Sequence, residues 1–144
     1  MLNRDFVERK VNLILKDLEH LQSLAEYSFE DIAKDFLKYG AVERLLEKII
    51  TRAIGINRHI IGELGNGNEI VRGYEDTFHA LATIGVYEES FGNTIAPSAG
   101  LRNRLVHEYD DTDPKIIYSS IKDAVHHYAQ YCDAVLKFAE KKTE

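Results

Sequence analysis

The 144-residue sequence predicts an all-α protein, an up-down bundle of four or five main helices in a single domain over residues 1–144. Three observations lead there. Apolar residues recur at alternating spacings of three and four through most of the chain, the signature of amphipathic helices. Strand patterns are almost absent. Gly, Pro, Asn and Asp gather at the few places where the period lapses.

The first helix begins near residue 4. Val7, Val11, Ile14, Leu18, Leu21 and Ala25 form one apolar stripe, and Glu8, Lys16, Asp17 and Glu19 fall on the polar side. It ends near Tyr27, and Ser28, three residues before Asp31, is placed to cap the next element. A short helix to about Tyr39 leads into a long one carrying Val42, Leu45, Ile49, Ala53, Ile56, Ile60 and Leu64 on one side. "GNGN", residues 65–68, supplies the backbone freedom that ends it. "YEDTFHALATIGV" reads as a helix of two to three turns, and "FGNTIAPSAG" interrupts the pattern with Gly92, Pro97 and Gly100. A further helical pattern runs through "GLRNRLVHEYDD" and dies at "DDTDP". There Asp113 before Pro114 makes a cap followed by proline at the first helical position. The last helix turns Ile117, Ile121, Ala124, Tyr128, Val135 and Phe138 inward. The stripes on the first and the long helix are rich enough to serve a second protomer, or to fill the core of one.

Composition narrows the function classes. A chain of this length buries roughly 68–70% of its unfolded surface, enough for a sizeable core. No run of about 18 apolar residues is present to span a membrane, and "MLNRDFVERK" lacks the apolar segment of a signal peptide. The lone cysteine, Cys132, cannot form an internal disulfide and fits a reducing compartment. These features point to a cytoplasmic protein. The net charge of −6 gives no overall attraction to nucleic acid, so an RNA substrate would need basic groups concentrated locally.

Several motifs have simple structural explanations. "GNG" at 65–67 follows no strand and is not a phosphate loop. "DTD" at 111–113 has carboxylate spacing found in metal sites, but capping accounts for Asp113. His126 and His127 diverge by about 100° on a helix, which suits partly exposed surface residues better than a zinc pair. His59, in "INRHII", reads as a buried, hydrogen-bonded structural histidine. No metal or other cofactor is expected.

What these explanations leave over is Arg102, Asn103, Arg104, His107 and Tyr109, gathered within eight residues. An imidazole can move a proton near neutrality, and a guanidinium can hold a phosphate bidentately. Together they suffice for metal-free cleavage in which a ribose 2′-OH attacks the adjacent phosphorus. Surface salt bridges and a capping histidine are the plainer alternative. Arg102 and His107 lie about 140° apart on a straight helix. They share a site only if the helix is distorted or two chains meet.

"RNRLVHEY" resembles the Arg-X4-His-X-Tyr signature of the HEPN superfamily, in particular its HepT toxin branch. The likeness extends over about residues 3–140 and includes "AVERLLEKII", "INRHII" and "GYEDTFHALATIGV". It implies a HEPN-like fold, a homodimer with the two motifs facing across the interface, and metal-independent cleavage of RNA. Arg102 and His107 would be the catalytic pair, with Asn103 supporting them. Tyr109 would be the residue that a partner nucleotidyltransferase antitoxin of the MNT type modifies with AMP. Arg104 is an extra basic group, either supporting the site or paired with Glu108. In a dimer, two copies of Arg102 and Arg104 would put four guanidiniums in one groove. The rival readings are a HEPN-type module that binds a nucleotide or tethers the nucleotidyltransferase without catalysis, and a plain helical scaffold.

Overall fold

The computed structural model describes residues 2–107 and 112–142. Among them the ordered elements are helices: α1 (Arg4–Leu24), α2 (Phe29–Lys34), α3 (Phe36–Leu64), α4 (Tyr74–Ile84), α5 (Glu89–Ile95), α6 (Ser98–His107) and α7 (Pro114–Lys142). Five are long, and α2 and α5 are short connecting pieces. The expected all-α bundle is what the chain forms.

Caps written in the sequence set most boundaries. Asn3 Oδ1 accepts from Phe6 N at 3.0 Å to open α1, and Ser28 Oγ accepts from Asp31 N at 3.1 Å to open α2. Asp113 opens α7 by accepting from Lys115 N at 2.9 Å, with Pro114 at the first helical position, where a missing N–H costs nothing. Gly85, at φ +106°, closes α4: its N–H and that of Val86 both return to Leu81 O.

Two boundaries differ from expectation. The long helix begins at Phe36, not near residue 41, because Asp35 ends α2 in extended backbone and caps α3 by accepting from Leu37 N and Lys38 N. The segment read as an interruption contains α5, with Gly92 buried inside it, and the break narrows to Ala96–Pro97 between α5 and α6.

α3 is the hub, packing against α1, α2, α4, α6 and α7, while α1 lies against both α3 and α7. The α1 stripe from Val7 to Leu21 is 0–6% exposed, and Val42, Ile49, Ala53, Ile56 and Ile60 of α3 are fully buried. Most of both stripes is thus consumed within one chain, with Ala25, Leu45 and Leu64 partly buried against the core. Each of the buried Val, Leu and Ile side chains contributes about 1.5–3 kcal/mol by leaving water. All six inward residues expected of α7 are buried.

Asp17 departs from its expected place on the polar side of α1. It is 5% exposed and bonds Lys48 Nζ at 3.3 Å and the Arg52 guanidinium, both on α3. A carboxylate can be buried there because two cations stand over it. A second polar group, Asn57, lies at the centre of the bundle. Its Nδ2 donates to Thr77 Oγ1 on α4 at 3.0 Å, and its Oδ1 accepts from the Tyr131 hydroxyl on α7 at 2.5 Å. Three helices are thereby held in register by one amide. Burial raises the Tyr131 phenol well above its ordinary range and keeps it a donor.

Candidate functional site

α6 runs unbroken from Ser98 to His107, so the motif sits on regular helix as far as His107. Leu101 and Leu105, one turn apart, are buried and fasten the helix to the core. That packing directs the neighbouring polar residues to different sides. Arg102 turns toward α3, where its Nε donates to Thr51 Oγ1 at 3.1 Å. One terminal nitrogen donates to Asn103 Oδ1 at 3.4 Å, and the guanidinium lies 5.2 Å from the centre of the Tyr74 ring on α4. Contacts from three directions hold the side chain, and a cation over an aromatic face is worth about 0.5–1 kcal/mol at an exposed site.

Arg102 and Val106 form one wall of a groove of about 250 Å³ whose other wall is α3. That wall brings Arg44, Lys48 and Arg52, three cations four residues apart on one helix face, up to Arg102. Arg44 pairs with Glu47 at 2.5 Å, and Lys48 and Arg52 share Asp17. Sequence reasoning passed over this row and over Thr51 and Tyr74. The i, i+4, i+8 spacing of Arg44, Lys48 and Arg52 was visible, whereas their meeting with Arg102 depends on the α3–α6 packing.

The other motif residues are placed as follows. His107 is the last residue of α6 and is exposed. Asn103 is exposed beside Arg102. Arg104 lines a different depression, of about 210 Å³, with His127, Asp123 and Tyr128 of α7. Within one chain, therefore, Arg102 and Arg104 do not share a groove. Tyr109 and Glu108 lie outside the described residues, and so does Asp111 of the "DTD" segment. Three other histidines lie outside the Arg102 groove. His59 is half-buried, accepts from Asn3 N through Nε2 at 3.4 Å, and rests against Phe6 with ring centres 4.7 Å apart. The His126 and His127 rings are 5.5 Å apart and tilted. No group of three or more His, Cys, Asp or Glu among the described residues is arranged to hold a metal ion.

One polar cluster adjoins the motif from the α7 side. Thr112 Oγ1 donates to Glu43 Oε2 at 3.1 Å and lies 3.2 Å from the Tyr39 hydroxyl. Partial burial raises the Glu43 carboxyl and the Tyr39 phenol above their ordinary ranges. The chain is thus tied to α3 through Arg102 within the motif, and again at Thr112 just after it.

The profile of the family described as Ribonuclease HepT-like matches residues 14–135. The chain belongs to that family. A protein named tRNA nuclease HepT, from Aphanizomenon flos-aquae (strain 2012/KM1/D3), is 38% identical over 128 residues, which are 87% of this chain and 84% of the relative. Two solved structures share the fold. YutE of Bacillus subtilis, described as a cytosolic protein of unknown function, superposes with a TM-score of 0.83 at 17% identity, covering 98% of this chain and 93% of its own. A tri-AMPylated HEPN toxin of Shewanella oneidensis, solved in complex with an MNT antitoxin, gives 0.80 at 22% identity, covering 93% and 98%. At those identities the likeness is one of fold, and it extends the family match across nearly the whole bundle. No described helix is long and apolar enough to cross a membrane.

Proposed function

We propose that this chain is the toxin of a toxin–antitoxin pair, a cytoplasmic metal-independent endoribonuclease acting as a homodimer. The observation that carries the reading is Arg102 held by Thr51, Asn103 and Tyr74 at the edge of a basic groove, with His107 one and a half turns further on, in a chain of the HepT-like family. Arg102 binds the scissile phosphate and stabilises charge on its non-bridging oxygens. His107 moves the proton. The 2′-OH attacks phosphorus and loses its proton, the bond to the 5′-oxygen breaks, and that oxygen gains a proton. The products are a 2′,3′-cyclic phosphate and a 5′-hydroxyl.

The geometry within one chain supports the dimer. Thr51 draws Arg102 toward α3 while His107 stands exposed at the end of a regular helix, so two chains facing each other complete a site that one leaves open. Tyr109 is the position at which an MNT-type nucleotidyltransferase antitoxin attaches AMP. The phenol oxygen attacks the α-phosphorus of ATP and pyrophosphate leaves. The added phosphate and adenosine then occupy space that the RNA backbone needs. Support comes from the Shewanella oneidensis toxin, which is AMPylated and bound to such an antitoxin.

The relative at 38% identity is named a tRNA nuclease, which makes tRNA the first substrate to test. Purified protein shown by mass spectrometry to carry no AMP is incubated with labelled tRNA in excess EDTA, beside His107→Ala and Arg102→Ala. Cleavage by the wild type alone, leaving cyclic phosphate ends, is the expected result. A folded, unmodified protein that never cleaves RNA would replace this reading with that of a non-catalytic nucleotide-binding or tethering module.

A further inference from the structure

We infer that the basic row on α3, Arg44, Lys48 and Arg52, is a binding track for the phosphates of a single RNA strand running along the α3–α6 groove to Arg102. The reading of the site as a ribonuclease is needed only to name the strand. The track itself is argued from charge and spacing.

Three residues four apart on one helix rise about 6 Å at each step, comparable with the step between neighbouring phosphates of an extended strand. The groove they line is the one that contains Arg102, so the row leads to the catalytic arginine instead of lying elsewhere on the surface. The charges do not cancel. Among the described residues, four cations meet two carboxylates, Glu47 and Asp17, and the direct partners of Arg102 are the neutral Thr51, Asn103 and Tyr74. A local surplus of two positive charges stands on a chain whose net charge is −6, which is the concentration of basic groups that an acidic RNA-binding protein requires.

Asp17 is what makes the row a fixed feature. Its side chain is 7% exposed, and it holds Lys48 and Arg52, still 30% and 24% exposed, from beneath. Two long side chains that would otherwise wander are thereby kept along the groove, and less conformational freedom is lost when phosphate binds. Arg44, 69% exposed and paired with Glu47, is the most exposed of the three. A single strand suits the groove better than a duplex, because base-independent tracking of one backbone by spaced cations is how single-strand channels bind.

The test uses the full-length protein and a fluorescent 2′-O-methyl RNA oligonucleotide, which lacks the attacking hydroxyl and cannot be cleaved by this route. Anisotropy is read across a salt series for the wild type, Arg44→Gln, Lys48→Gln, Arg52→Gln and the triple variant, with Lys137→Gln on the far part of α7 as control. Each row substitution is expected to weaken binding and lower the slope of log K against log salt by about 0.7. The triple variant should lower the slope by about 2, and the control should lose nothing. Arg44 does not contact Asp17, so Arg44→Gln tests the track even if the other two variants melt early. An unchanged slope for Arg44→Gln and for a folded triple variant overturns the inference. So does a triple variant that keeps RNA binding while losing poly-L-glutamate binding, which would make the groove a seat for an acidic protein. Row-dependent binding without cleavage of natural RNA would keep the track and remove the nuclease. Cleavage with an indifferent row would do the opposite.

Discussion

Replacing Tyr131 with phenylalanine removes one oxygen from the centre of the bundle and leaves the ring packing in place. The hydroxyl shares its single proton between Asn57 Oδ1 at 2.5 Å and Ala53 O at 3.0 Å. Ala53 O lies inside α3 and keeps its place in the helical ladder, so the group stranded by the change is Asn57 Oδ1. Asn57 is 0% exposed, and water does not reach it to compensate. A buried acceptor deprived of its partner costs about 1–3 kcal/mol. For a domain of this size each kcal/mol moves Tm by about 2–4 °C, and a central value of about 2 kcal/mol corresponds to a fall of about 4–8 °C. The assay is thermal and urea denaturation followed by circular dichroism, at one fixed protein concentration because dimerisation would add to apparent stability. Asn57→Leu should then cost less in the Tyr131→Phe background than in the wild type, with a coupling of about 0.5–3 kcal/mol. A Tyr131→Phe protein within about 0.5 kcal/mol of the wild type, or strict additivity in the double variant, would refute the view that this amide ties three helices together.

Asp17→Ala leaves Lys48 and Arg52 without their shared carboxylate. Because both cations can turn toward water, the expected loss is about 1–3 kcal/mol, below the 3–5 kcal/mol of a wholly buried pair; urea midpoints equal to the wild type would show that the triad holds nothing together. Burial pushes the Cys132 thiol from 9.0 up to about 12, so at pH 8 its thiolate fraction is about a thousandfold below that of an unfolded cysteine. Iodoacetamide should spare the native thiol and label it promptly in urea. The same shift makes folding stability fall as pH rises above 9, since the unfolded thiol releases its proton there and the native one does not until about 12. Native labelling at the unfolded rate, or a Cys132→Ala variant with the same alkaline decline as the wild type, would refute this.

The helices were legible where a single face is buried. The stripes of α1 and α7 could be read off residue by residue, as could the Ser28 and Asp113 caps, because both depend on neighbours a few positions away. The α2–α3 boundary was misplaced because Asp35 both ends one helix and starts the next, and a side chain with two such roles looks like one cap. α5 was hidden by Gly92 and Pro97, which favour a break when read alone; packing against α4 and α7 overrides that local preference. Asp17 looked like an ordinary surface carboxylate because its partners are 31 and 35 residues away. The motif around Arg102 stood out as a cluster of polar side chains, and the groove did not. Thr51, 51 positions before Arg102, and the α3 cations join it only when α3 and α6 pack. The same packing separates Arg104 from Arg102, a division that adjacency in sequence conceals.

The way α1 lies between α3 and α7 also bears on how the chain emerges from the ribosome. Synthesis proceeds at about 5–20 residues per second. The α1 stripe is therefore made several seconds before the helix that covers its second flank. Until α7 is complete the α1 stripe lacks one of the two helices it packs against, and Asn57 waits for the hydroxyl of Tyr131. The order of manufacture is thus the reverse of the order of need, and the polar tie between α3, α4 and α7 is made only as the last helix arrives.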